Sequence, residues 1–324
     1  MWPRTVDWEE LRFGVEIEFV GGNPAAVELL PGWVMAFDEL QVDDTGEDSG
    51  AELKPPPLLW RDREQMRVML DRLKATGARA NWSCGLHVHV GLEPWGQDIV
   101  LPLVDEALAH QDALRGLLRT AEDRLIHCPP VVPAMRDRYL AKPERASLVR
   151  RGRPQSHRCG INAAAWFDFG TVEIRYPNGS LEYDEVVNTV ELCLRFVAAV
   201  GAGRLVPPAA AGATGGGAAA SGPAASAADA AALAALLGAP ADGYPLPRPA
   251  PRWHRERAWL EDALVPVLEP LVRSRVPEAE ILAIRPVPGG FRVTAEEPGD
   301  RRMAFLTRPG PDGWSLEPLE SERG

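Results

Sequence analysis

Cysteine is scarce in this chain: Cys84, Cys128, Cys159 and Cys193 stand far apart, with no C-x-x-C pair. That spacing excludes a disulfide-built scaffold and reads as reduced thiols of a cytoplasmic protein. Long apolar runs are also missing. The best stretch, residues 196–206, is short and carries Arg204, so no membrane span is expected. The first residues, MWPRTVDWEELRF, show no apolar run with a small-residue cleavage site, and no targeting segment is expected. Positive charge is in deficit: 35 Lys and Arg against 46 Asp and Glu leave a net charge of −11. A dedicated nucleic-acid binder needs a basic surface, so that class is set aside. No internal repeat is visible.

What is present is 45% hydrophobic residues in 324, enough for a sizeable core. Gly and Pro number 30 and 31, which demands extensive loops. Residues 12–20, RFGVEIEFV, alternate strictly, with Val15, Ile17 and Phe19 on one face and Glu16 and Glu18 on the other. Residues 51–54 form a short strand that the prolines at 55–57 terminate. LHVHV at 86–90 sets His87 and His89 on one face, and TVEIRY at 171–176 sets Glu173 and Arg175 together. Helices are expected over 61–76, 98–125 and 184–202. Residues 136–158 hold eight basic residues against two acids and read as a long loop. From 207 to 251 the composition turns to Ala, Gly and Pro, a linker with one helical stretch at 227–237. A helix broken near Pro266 and Pro270 and a three-stranded meander (281–287, 290–296, 302–307) follow. The division expected is a catalytic domain at 1–206, a linker or insertion at 207–251 and a small C-terminal region at 252–324.

The chemistry is concentrated on four strands. Glu16/Glu18, Glu52/Lys54, His87/His89 and Glu173/Arg175 each put ligand-type side chains on the face where an ordinary strand carries unremarkable polar residues. Each pair alone has a plain explanation: a solvated edge, a hydrogen-bonded histidine pair, a cross-strand ion pair. Together, if the strands are neighbours, four Glu and one or two His converge. Crowded carboxylates repel unless cations neutralise them, and an oxygen-rich set with one nitrogen suits Mg²⁺ or Mn²⁺. Removing one carboxylate from such a cluster without its metal should be neutral or stabilising. A zinc hydrolase built on Cys84, His87 and His89 is a competing reading, as is a binding protein without catalysis.

G-V-E-I-E at 14–18, E-L-K-P-P at 52–56, C-G-L-H-V-H-V at 84–90, R-C-G-I-N at 158–162 and T-V-E-I-R-Y-P-N-G-S-L at 171–181 occur in this order. As a set they resemble the amidoligase family, within the glutamine synthetase and glutamate–cysteine ligase superfamily. The resemblance covers roughly residues 10–205. It implies an α+β fold with a curved antiparallel sheet of glutamine synthetase type, flanked by helices, with the C-terminal helix and meander as an addition. It implies ATP as co-substrate and Mg²⁺ or Mn²⁺ held by Glu16, Glu18, Glu52, His87 and Glu173. Arg175, Glu173 and Glu18 would carry catalysis. Arg175, Arg158 and Lys54 would meet the nucleotide, and His89, Asn162 and Arg153 the substrate. The implied reaction joins a small-molecule or peptide carboxylate, of glutamyl type by default, to an amine. A phosphotransferase of the same fold is the alternative. An acid among Asp43, Asp44, Glu47 and Asp48 is a candidate base. Lys54 departs from the family's usual small polar residue. The sequence is compatible with a homo-oligomer and implies no nucleic-acid or membrane partner.

The acidic excess is local. Residues 1–60 hold thirteen acids and three bases (Arg4, Arg12, Lys54). That segment contains Glu16, Glu18 and Glu52, so the charge reads as a demand for cations at one place.

Overall fold

The structure is a computed structural model that describes residues 1–36, 41, 50–149, 159–205, 227–297, 301–311 and 313–319. Contacts divide the chain into two compact units: one of Met1–Leu148 with Cys159–Pro249, the other holding the elements from Ala250 onward. The acids at 43–48 and both Arg153 and Arg158 lie outside the described residues.

The first unit is α+β. Its sheet contains β1 (Phe13–Val20), β2 (Val34–Ala36), β3 (Gly50–Lys54), β4 (Leu86–Gly91), β5 (Ile161–Asn162) and β6 (Thr171–Ile174). The order is β2-β3-β1-β4-β6-β5, and every pairing is antiparallel. Antiparallel sheets tolerate one apolar and one polar face, and the alternation of β1 is of that kind. Val15, Ile17 and Phe19 are buried in the main core with Leu86, Val88 and Val90 of β4 and Val172 and Ile174 of β6. The helices supply the rest of that core: α1 (Glu64–Ala75), α2 (Val100–Leu118) and α5 (Tyr183–Gly201). In α1 the stripe Met66, Met69, Leu70, Leu73 is fully buried. In α5 Val186, Val190, Leu194 and Val197 are buried, and Asp184 and Glu185 stand in the first turn, where the helix dipole favours acids.

Residues 136–158 are not one long loop. Pro133 opens a helix, α3 (Pro133–Ala141), and a 3₁₀ turn follows at Arg145–Leu148. Met135 and Tyr139 are four apart and buried. Two apolar residues among many charges are a weak signal that packing makes decisive. Several of the basic residues are also paired: Arg136 with Asp105, Lys142 with Glu144, Arg145 with Asp168. A five-residue helix, α4 (Ala165–Phe169), then ends at Gly170, whose φ of +70° suits glycine, and β6 begins at the next residue.

Helix α6 (Ala227–Leu237) occupies the expected helical stretch and packs on α2. The residues after it are held to the same unit. Tyr244 is buried, Asn178 Nδ2 donates to the Pro245 carbonyl at 2.9 Å, and Arg248 reaches the Ala80 carbonyl. All four cysteines are free and buried. Among the described residues no helix is long and apolar enough to cross a membrane.

The second unit packs α7 (Arg252–Arg275) with a four-stranded antiparallel meander: β7 (Glu280–Val287), β8 (Gly290–Glu297), β9 (Arg301–Gly310) and β10 (Gly313–Leu319). The expected break at Pro266 and Pro270 does not occur. Both prolines are exposed, while Val265, Leu268 and Val272 form a buried stripe. Apolar packing of that stripe holds the helix together through both prolines. The expected meander also lacked β10, whose Trp314 and Leu316 pack against this core.

Candidate active site

Register decides what meets on the polar face of the sheet. Glu18 lies opposite Glu52, and Glu16 opposite His87. In the next row Gly14 faces His89, His89 faces Glu173, and Glu173 faces Asn162. All the expected residues that the structure describes therefore share one face. Their pairings differ from the expected ligand set.

The ligand-type atoms of Glu16, His89 and Glu173 all lie within 4.8 Å of one another. His89 Nε2 is 3.8 Å from Glu16 Oε1 and 3.8 Å from Glu173 Oε1. Its Nδ1 is 3.0 Å from Thr171 Oγ1, which orients the ring so that Nε2 meets the carboxylates. His89, expected at the substrate, is thus the imidazole of this group. His87, expected among the ligands, sits beside it and deeper, 2% exposed. Its Nδ1 is 3.0 Å from Glu16 Oε2, and its Nε2 is 3.6 Å from Glu18 Oε1. Glu18 also accepts the backbone N–H of Gly85.

Two cations are built into the cluster. Lys54 Nζ is 2.5 Å from Glu52 Oε2 and 3.1 Å from Glu16 Oε1. Arg175 is buried and paired with Glu173. Asn162 Nδ2 donates to Glu173 Oε2 at 2.8 Å, while its Oδ1 accepts from the Ala164 N–H. Asn162 and Arg175 therefore hold Glu173 in place from beneath.

The electrostatics follow from these contacts. Burial pushes Glu16 up, but hydrogen bonds from His87 and His89 and the charge of Lys54 outweigh it and hold the carboxyl well below its usual range. Glu173 is likewise raised by burial and lowered more strongly by Arg175 and His89, to about 2. Burial and the charges of Glu16 and Glu18 push Glu52 up to about 8, despite Lys54. Burial and Arg175 lower His87, while hydrogen bonding to Glu16 and the charge of Glu173 overcome burial and raise His89.

Glu52 is the strained member, and a consequence can be measured. Its raised pKa means the folded state holds a proton that the unfolded state has released, so stability falls as pH rises from about 4.5 to about 8. His87 is lowered and His89 raised, and because both titrate in wild type and variant alike they drop out of the comparison that follows. Glu52→Gln removes the penalty. In chelator, urea unfolding should show the variant gaining on the wild type by up to about 1.4 kcal/mol per pH unit through this window. A pH-independent difference would show that Glu52 ionises freely.

A cavity of about 360 Å³ opens beside the cluster. Glu16, Lys54 and His89 form its polar wall, Pro55, Pro57 and Phe169 its apolar one, with Arg12 and Glu93 also lining it. That volume suits a small ligand or one portion of a larger one. Gly14 opposite His89 leaves the floor open, since a Cβ there would meet only the His89 Cβ at 3.9 Å.

Sequence reasoning missed two supporting residues. Thr171 was legible, because it shares parity with Glu173 and Arg175 on the same strand. Arg124 carried no periodic signal. It is buried, and its guanidinium donates to the carbonyls of Cys84 (2.6 Å) and Arg175 (3.3 Å), bracing the ends of the two site strands. A Cβ on Gly85 would lie 2.2 Å from Arg124 Nη2 and 2.8 Å from His87 Nε2, which explains the glycine in C-G-L-H. Cys84 is not part of the cluster. It packs in the apolar core, hydrogen-bonds with Asn81, and burial pushes its thiol up to about 12. A zinc site on Cys84, His87 and His89 finds no support in this geometry.

Residues 25–197 match the sequence model of the family described as "Putative amidoligase enzyme". The match spans more than half of the chain, and the protein belongs to this family. Membership makes it an enzyme of the amide-bond-forming ligase type. No curated protein matches the chain significantly.

Proposed function

We propose that the protein is an ATP-dependent carboxylate–amine ligase on a glutamine synthetase-like sheet, forming an amide or isopeptide bond on a glutamyl-type carboxylate through an acyl phosphate. One observation carries this reading: Glu16, His89 and Glu173 present ligating atoms within 4.8 Å of one another beside a ligand-sized cavity.

The donor set fits a hard divalent cation. Two carboxylates and one imidazole suit Mg²⁺ or Mn²⁺. Glu52, raised by burial and by neighbouring Glu16 and Glu18, lies in a region that an added positive charge would relieve. Glu16, His89 and Glu173 would hold the ion. When bound, the ion would offset the negative charge of the transferring phosphoryl group.

The chain's own residues supply the rest. A carboxylate leaves its hydroxide-like oxygen too poorly to react with an amine, so a carboxylate oxygen first takes the γ-phosphoryl group of ATP and ADP departs. The amine then attacks the acyl carbon, phosphate leaves, and the amine proton goes to a base. The site must hold two anions side by side. Arg12 and Lys54 line the cavity and are the cations an incoming oxyanion would meet there. Arg175 acts from below by holding Glu173 ionised. Thr171 fixes the His89 ring.

The test is product analysis with Mg²⁺ and ATP over a panel of carboxylates and amines. Phosphate release should require both a carboxylate and an amine, and mass spectrometry should show their condensation product. A stable phosphorylated product formed with no amine would establish a phosphotransferase instead. Stoichiometric zinc in the purified protein would overturn the magnesium reading.

A further inference from the structure

We infer that Lys54 is a built-in cation of this site, holding the position between Glu16 and Glu52 so that each chain takes one divalent ion, at Glu16, His89 and Glu173. The inference rests on the metal reading proposed above and adds the number of ions and the residue that limits it.

Three observations carry it. The first is position. Lys54 follows Glu52 by two residues and shares its face, and β1–β3 pairing of Ile17 with Leu53 brings Glu16 alongside Lys54. Pro55 restricts the backbone of Lys54 to extended conformations, which keeps the side chain on that face. The second is occupancy. The ammonium lies 2.5 Å from Glu52 Oε2 and 3.1 Å from Glu16 Oε1. A divalent ion bridging these two oxygens would stand within a few ångströms of Nζ and be repelled by it. The third is charge matching. Glu16, Glu18, Glu52 and Glu173 bring at most four negative charges to one face. Lys54 and Arg175 supply two positive charges, and a single divalent ion supplies two more. A second ion would leave the cluster positively charged in a poorly solvated place even with every carboxylate ionised. Glu52 is on this account a partner of lysine and not a metal ligand.

The experiment counts ions without relying on turnover. Chelator-stripped full-length protein is titrated with Mn²⁺ in the absence of nucleotide, bound and free metal being read by electron paramagnetic resonance. The wild type should bind one Mn²⁺ per chain. Lys54→Met should bind a second, because Glu16, Glu18 and Glu52 then form an uncompensated acidic pocket. Glu52→Gln should still bind one, with affinity reduced less than about tenfold, below the roughly 10–100-fold that removing even a hydrogen-bonding partner of a ligand brings. Circular dichroism checks that each variant is folded, and Glu52→Gln decides the matter if Lys54→Met is not. Two or more ions on the wild type would overturn this inference and leave the metal reading standing. A second ion absent from folded Lys54→Met, or a lost ion in Glu52→Gln, would overturn the inference as well. No Mn²⁺ on any form would overturn the metal reading and this inference with it.

Discussion

Replacing Glu173 with alanine should abolish activity and also destabilise the fold by about 3–5 kcal/mol, the cost of leaving one partner of a buried ion pair alone. Glu173 and Arg175 are each 5% exposed, so Glu173→Ala leaves the guanidinium charge buried without its paired carboxylate. Asn162 would lose its acceptor as well. The shift of Glu173 to about 2 is consistent in size, since it corresponds to roughly 3 kcal/mol of stability at neutral pH. The sign is that of a depressed carboxyl: the contribution is present above the unfolded value near 4.5 and is lost as pH falls toward 2. This reverses the expectation that taking a carboxylate out of the metal-free cluster is harmless. That expectation considered repulsion among acids and did not include a guanidinium buried against one of them. Urea unfolding of Glu173→Ala in chelator measures the effect. Wild-type stability in that variant would mean that Arg175 finds its compensation elsewhere.

Glu16→Gln should lose ligase activity by about 10³-fold or more and destabilise the fold less than Glu173→Ala does, although its carboxyl is also held well below the usual range. Glu16 is the hub of the polar face, touching Lys54, His87 and His89. Its removal takes a carboxylate from the three residues proposed to hold the cation, and charge stabilisation of several kcal/mol at a phosphoryl group amounts to this factor. The loss of stability is limited because each neighbour keeps another partner: Lys54 retains Glu52, His89 retains Glu173 and Thr171, and His87 retains Glu18. The side chain of Glu16 is also 23% exposed, so the amide is solvated. Steady-state phosphate release, Mn²⁺ affinity and the unfolding midpoint together check the prediction. Activity or Mn²⁺ affinity at the wild-type level would sink the ligand assignment.

Much of this was legible from local pattern. Alternation in 12–20, 86–90 and 171–176 placed Glu16, Glu18, His87, His89, Glu173 and Arg175 on one face each, and the structure keeps every one of those parities. Helices α1 and α5 announced themselves through their apolar stripes and end within a few residues of their expected limits. Where pattern was weak, it misled. Helix α3 rests on Met135 and Tyr139 amid basic residues, and α7 continues through two prolines because its buried stripe outweighs their missing hydrogen bonds.

The sequence by itself determined which side chains share a face, because the period-two geometry of a strand is local. It also determined that the first sixty residues carry nearly all of the net negative charge. Tertiary structure alone decided which histidine meets which carboxylate. His89 stands opposite Glu173 and His87 opposite Glu16 because of registers between strands some seventy to eighty residues apart. A slip of two residues would keep every side chain on its face and exchange the roles of the two histidines. No local propensity distinguishes those arrangements. The packing of α2, α5 and the buried Arg124 against the strands does, and with it which residues draw together around Glu16.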